Sequence, residues 1–545
     1  MMGIAIKKES TLGVSEVTQG VNILDFFQNQ ILPELQDNNH SSRPVLKATA
    51  LKFVSVFRNQ FSRDNLIQIF PLLITHLGSP VVVVHTFAAY TFERILFSKD
   101  DVVSGPSVYK ITGSDLRVFV EPLFTALFAI IENQEHNEND YAMKCVMRSL
   151  IRVGEDIIPV TEIVLVKLNA TLGKVATNPR NPQYNHYLFE SIAVLVKSVC
   201  TKNPKGGEAL EGILFEPFTI ILQMDIAEFT PYVFQILAQL LEYRPTGIAL
   251  SPAYAGLFQP LLTPALWEKK GNVPAITRLL QAYICKAAVE LVPHLNPTLG
   301  VFQKLISSKA TETSAFEILN SVIIHIPAAA LDGLFPTIFS LLFTRLQTSK
   351  TPRYIQLVTT FFALFVGKYG AQVFFDRTSV IQAGIGRMIL IHVWAPRLKD
   401  EPPVQSIEAK IHVVGVTRLL CECPTLLSDD NGLKAWMESL VGLISLVTSP
   451  KFKDSSATKL IDTADIETGY DAQYSRLLQA TKNIEDPFAE IPDPSMFFAQ
   501  SLHTTLMNNS TVLLPLLQQG FSIDPKLQSG LESIFQLAGL SLRQH

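Results

Sequence analysis

The chain has 545 residues, too many for one compact core, so it is either several domains or one extended repeat array. Apolar residues make up 48% and charged residues 17%, an apolar-rich composition still within the range of water-soluble proteins. The formal net charge of −4 is nearly neutral at this size and points to neither nucleic acid nor an anionic membrane as a global partner.

Residues 1–18 mix charge, Gly, Ser and Thr with little periodicity, which predicts a disordered tail. From residue 19 onward the pattern is helical and comes in pairs. The first pair runs 20–36 and 44–60, with Phe26, Phe27, Ile31 and Leu35 on one apolar face and Phe53, Val54 and Phe57 on the other. The next pairs are 65–77 with 81–97, 115–132 with 141–153, 159–176 with 184–201, and 210–223 with 226–242. Val233, Ile236, Leu237, Leu240 and Leu241 fall at i, i+3, i+4, i+7 and i+8, and Ile276, Leu279, Leu280 and Tyr283 repeat the spacing. Between them lies a proline-marked segment, 254–266. Further pairs follow at 297–307 with 314–325, 331–347 with 351–369, and 373–394 with 404–421. A helix over 433–447 precedes a polar insertion at 450–469, and 472–482, 494–507, 511–519 and 525–542 complete the chain.

Second helices thus begin about every 45 residues, inside the range of HEAT repeats. Pro71, Pro122, Pro159, Pro217, Pro260 and Pro336 are placed at or near helix starts, where a missing N–H has no intrahelical partner to lose. The fold expected is all-α, an α-solenoid of HEAT-type helical hairpins over residues 19–545. No hairpin of this kind buries its apolar face alone, so each needs its neighbour.

The N-terminus has too short an apolar run for a signal peptide, and its lysines follow that run instead of preceding it. Proline interrupts 250–267, a long, apolar and uncharged stretch, so no membrane insertion is expected. Cys145, Cys200, Cys285, Cys421 and Cys423 read as small buried hydrophobes, and Cys421 and Cys423 are too close for a structural zinc pair. No catalytic or nucleotide-binding motif occurs; Gly384-Ile-Gly386 lacks a third glycine and reads as close helix packing. His186 and His503 read as packed histidines, and the three tryptophans as core. The expectation is therefore a protein that is not an enzyme, with no catalytic residue, cofactor or metal ligand.

Three loops are acidic: Glu132, Glu135, Glu138 and Asp140; Asp462, Asp465, Glu467 and Asp471; and Glu485, Asp486, Glu490 and Asp493. They are either solvated turns or docking points for a basic partner on one rim of the array.

Several segments resemble one family in order: NPQYNHYLFESI (181–192), FTPYVFQILAQLLE (229–242), LWEKKGNVPAITRLLQAYI (266–284), GVFQKLISSKA (300–310), VVGVTRLLCECP (413–424), IDTADIETGY (461–470) and FFAQSLH (497–503). The family is the CAS-type exportins of the importin-β superfamily, and the likeness covers what looks like its C-terminal half. The resemblance implies a nuclear export receptor that binds importin-α together with Ran-GTP and shuttles between nucleus and cytoplasm through the nuclear pore. The alternative is a HEAT scaffold without export activity. Residues 1–20 match nothing placed in the family, and the N-terminal arch with the main Ran-binding region is expected to be absent. Because the resemblance returns at 461–470, Asp462, Asp465 and Glu467 are the expected contacts to a basic surface of Ran or importin-α.

Overall fold

A computed structural model describes residues 5–10, 13–100, 108–133, 135, 138–403, 405–449, 452, 476–481 and 485–541. The chain divides into two compact units. The first comprises 1–248, 274–279 and 462–482; the second comprises 249–273, 280–461 and 483–545.

In the first unit the helices of eight or more residues are α1 (Pro44–Phe57), α2 (Arg63–Leu77), α3 (Val82–Leu96), α4 (Val120–Glu132), α5 (Asp140–Val153), α6 (Thr161–Ala176), α7 (Pro182–Lys202), α8 (Gly206–Gln223) and α9 (Thr230–Tyr243). They form two layers. The second helices of successive hairpins, α1, α3, α5, α7 and α9, pack side by side, and so do α2, α4, α6 and α8. The sequence marks where helices start. Asn139 and Asn181 accept the N–H of Ala142 and Tyr184 at 3.1 Å each, and Pro44 and Pro182 occupy first-turn positions. The second helices are buried almost all round: α9 buries every residue from Tyr232 to Leu241. The one-sided apolar stripe read from the sequence therefore describes only part of what this layer buries.

The second unit contains α10 (Pro252–Leu261), α11 (Val273–Lys286, of which 274–279 are assigned to the first unit), α12 (Leu295–Ile306), α13 (Glu312–His325), α14 (Phe335–Thr348), α15 (Pro352–Tyr369), α16 (Ala371–Ile381), α17 (Ser406–Glu422), α18 (Asp430–Thr448), α19 (Pro494–Asn508), α20 (Ser510–Ile523) and α21 (Pro525–Leu537). Here α13, α15, α17 and α19 make the row of second helices. The stretch 328–348 is long and apolar enough to span a bilayer, yet its Phe335 and Phe339 pack against Phe361, Phe362, Phe365 and Phe374. Trp394 and Trp436 are core residues whose indole N–H groups donate to His412 Nδ1 at 3.1 Å and the Leu420 carbonyl at 2.9 Å.

Several expectations are corrected. The described N-terminal residues are not a disordered tail: Ile6–Ser10 (β1) pairs antiparallel with Gly13–Val17 (β2), and β2 packs on α1 and the turn after it. Val14 is fully buried there, and Gln60 donates to its carbonyl at 3.3 Å. The helix expected over 373–394 breaks after Ile381, turns through Gly384 at φ +76°, and then runs helically to Asp400, through most of the expected loop. A Cβ on Gly386 would sit 2.8 Å from Thr378 Oγ1, so this glycine does permit close helix packing. Pro71, Pro217 and Pro260 lie inside helices, not at their starts. The carbonyl of Ile213 that Pro217 strands is satisfied from outside the helix, by Asn169 Nδ2 at 3.1 Å. Within the expected helix 472–482, none of the described residues 476–481 is helical, and 478–480 form a bend and turn.

Candidate partner-binding site

Asp462, Asp465 and Glu467 lie outside the described residues, as does most of the insertion. The structure instead draws attention to the residues that follow it.

In the first unit the row of second helices carries buried polar side chains. Glu93 on α3 pairs with Arg148 on α5 at 3.3 Å, with both side chains nearly sealed from water. One helix further on, α7 presents His186 and Glu190, and α9 presents Gln235 and Gln239 four residues apart on one face. Residues 477–479 bind this face. Glu190 accepts the N–H of Leu478 at 2.5 Å and of Gln479 at 2.9 Å. Gln235 Oε1 accepts the N–H of Leu477 at 2.9 Å, and Gln239 Nε2 donates to the carbonyl of Gln479 at 3.2 Å. Three successive backbone N–H groups are thus captured by two side chains. Thr481 N–H and hydroxyl both return to the Leu478 carbonyl, closing a turn. Leu477 and Ala480 are fully buried.

Burial raises the Glu190 carboxyl to about 7, against the lowering pull of those two N–H groups and of the Arg148 and Lys197 charges. Burial also lowers His186 to about 4, so it sits beside Glu190 as a neutral imidazole, near Tyr232 Oη at 3.3 Å.

In the second unit the acidic loop 485–493 is tied to the chain's own helices, although Glu485, Glu490 and Asp493 stay exposed. Glu485 meets His325 Nε2 at 3.0 Å, and Asp486 pairs with Lys410. Lys368 donates to the Pro487 carbonyl, and the Phe488 ring fills the space where Gly367 lacks a Cβ. Asp493 caps α19 by accepting the N–H groups of Ser495 and Met496. Most of this third acidic cluster is therefore spent on the chain's own helices.

Sequence reasoning missed one grouping here. Donor atoms of Cys285, His325 and Glu485 lie within 4.8 Å of one another. Burial pushes the His325 imidazole down, but hydrogen bonds and charge from Cys285 and Glu485 outweigh it and hold it at about 9. His325 Nε2 and Glu485 are 3.0 Å apart, so the trio also ties the 485 loop to the helix that carries His325. Its members are 40 and 160 residues apart, and no local motif announces them. Cys421 and Cys423 are free thiols whose pKa values burial raises, Cys421 to about 11.

Comparison with known proteins settles the family. A family model described as CAS/CSE protein, C-terminus, matches residues 93–531. The chain belongs to the CAS/CSE family. A second model, Cse1, matches residues 1–92, so the opening residues are part of the likeness after all. Exportin-2 of Bos taurus and of Homo sapiens are each 39% identical over 503 residues, which is 90% of this chain and 50% of theirs. The chain spans about half the length of the curated relatives it matches. The solved exportin Cse1, described in its cargo-free, cytoplasmic state, superposes with a TM-score of 0.80 at 28% identity over 97% of this chain and 53% of that one. Kap95p, solved with RanGDP, matches at a TM-score of 0.56 and 12% identity over 96% of this chain and 59% of that one, a likeness of fold alone. The HEAT solenoid architecture expected from the 45-residue spacing is that of this CAS/CSE chain's structural neighbours.

Proposed function

We propose that the chain is the cargo-binding part of a nuclear export receptor, a binding protein and not an enzyme, that takes importin-α together with Ran-GTP from nucleus to cytoplasm and shuttles through the nuclear pore. The observation that supports this reading most is the sustained likeness to proteins named exportin-2 over 90% of the chain, in both the residues and the fold. Binding needs no cofactor of the chain's own. Asp462, Asp465 and Glu467, in the one acidic cluster outside the described residues, are proposed to face a basic surface of Ran or importin-α.

A pull-down with importin-α, with and without Ran locked in its GTP form, tests the reading. Capture that depends on Ran-GTP supports the exporter; capture indifferent to Ran supports a scaffold without export activity. Neutralising Asp462, Asp465 and Glu467 together should slow association at low salt and matter little at high salt, because exposed charges act over roughly 10 Å at 0.1 M ionic strength. Unchanged association at low salt, with circular dichroism intact, removes the three acids from the interface.

A further inference from the structure

The contact of residues 477–480 with α7 and α9 is built unlike the packing around it. Glu190 is 2% exposed, and burying a carboxylate is unfavourable unless it is hydrogen-bonded. A leucine at this position would pack against the neighbouring helices without that penalty. The N–H partners that satisfy Glu190 come from neither hairpin of the array but from a segment 288 and 289 residues away. The helices thus carry a costly acceptor whose complement is a piece of backbone they do not themselves supply.

We propose that this face of α7 and α9 is a receptor for a peptide turn of a partner protein, and that residues 476–481 are its resident competitor. The geometry defines the ligand class. It presents three successive free N–H groups, two for Glu190 and one for Gln235, as a tight turn or the first turn of a helix does. Its first residue is large and apolar, as Leu477 is, and its fourth is small, as Ala480 is. Its third carbonyl accepts from Gln239 Nε2. The Gln239 amide oxygen is buried and has no hydrogen-bond partner among the described residues, so a hydroxyl or amide donor beside that third residue tightens the fit. Recognition is through backbone and two anchor side chains, which leaves the second position open to variation.

The probe is a fluorescently labelled peptide with the sequence of residues 474–482, followed by anisotropy. It is added to the full chain, to the full chain with 476–481 replaced by alternating glycine and serine, and to the Leu477→Asp chain, which weakens the competitor by one side chain. A tethered competitor suppresses binding in trans, so both variants should bind the peptide saturably and about tenfold or more tighter than the unaltered chain. Adding Glu190→Ala to either variant should remove that gain, and a peptide carrying Asp in place of its first leucine should not bind. The proposal is overturned if natively folded Leu477→Asp protein binds the peptide no better than the unaltered chain, or if Glu190→Ala leaves the binding unchanged. Neither importin-α nor Ran is in this assay, so its failure leaves the export reading intact, and failure of the pull-down leaves the peptide site intact.

Discussion

Leu237 shows what one residue of the second-helix layer is worth. It is 1% exposed at the centre of α9, with buried neighbours on both sides along the helix. Leu237→Ala should lower stability by about 2–5 kcal/mol, read from denaturant midpoints, and in a stacked array the melt should broaden. His325 gives a residue-scale prediction in pH. Its value of about 9 lies above the ordinary 6.5, so its contribution is fully present below 6.5 and is lost as pH rises through about 9. Cys285 and Glu485 are the groups that hold the proton. Hydrogen exchange at residues 485–488 should therefore speed up between pH 6.5 and 9 beyond the intrinsic pH effect, and His325→Gln should flatten that excess. At this scale the sequence places Leu237 correctly as core. It says nothing of Glu190 or His325, whose partners are remote in the chain.

At the scale of elements, helix starts are legible because their signals are local. Asn139, Asn181 and Thr351 each accept a backbone N–H three residues on, and the prolines that follow Asn181 and Thr351 have no N–H to strand. Helix interiors are less legible. Pro217 reads as a start signal until Asn169 on α6 is seen to satisfy the carbonyl it frees. Two wide π-helical turns, Phe27–Ile31 and Leu390–Trp394, each precede a proline by two residues, Pro33 and Pro396. Close approach between helices is also decided in three dimensions. A Cβ at Gly415 on α17 would collide with the backbone of Ala363 on α15. Gly415→Ala should push these helices apart and cost about 1–3 kcal/mol, although the same change on an isolated helix is stabilising. A variant as stable as the original would show that α15 and α17 do not touch there.

For the molecule as a whole, Phe26, Phe27, Phe53 and Phe57 give the first helical pair a phenylalanine-rich face. The structure buries Phe27, Phe53, Phe57 and Phe61, and β2 packs over α1 and its following turn. Removing residues 1–17 should expose apolar surface there, and light scattering should show concentration-dependent association absent from the full chain. Equal behaviour of the two chains would mean that these strands contribute no cover.

The helical class, the pairing of helices and the family were determined by sequence alone, because each rests on short-range periodicity or on an ordered run of matching segments. Tertiary structure decided what residues 476–481 and 485–488 do. The first segment binds Glu190, Gln235 and Gln239, and the second binds His325, Lys368 and Lys410, all far away along the chain. A backbone N–H carries no side-chain signature, and a buried carboxylate looks in sequence like any glutamate on a helix. Only the fold, by bringing a remote turn against α7 and α9, reveals which groups were waiting for it.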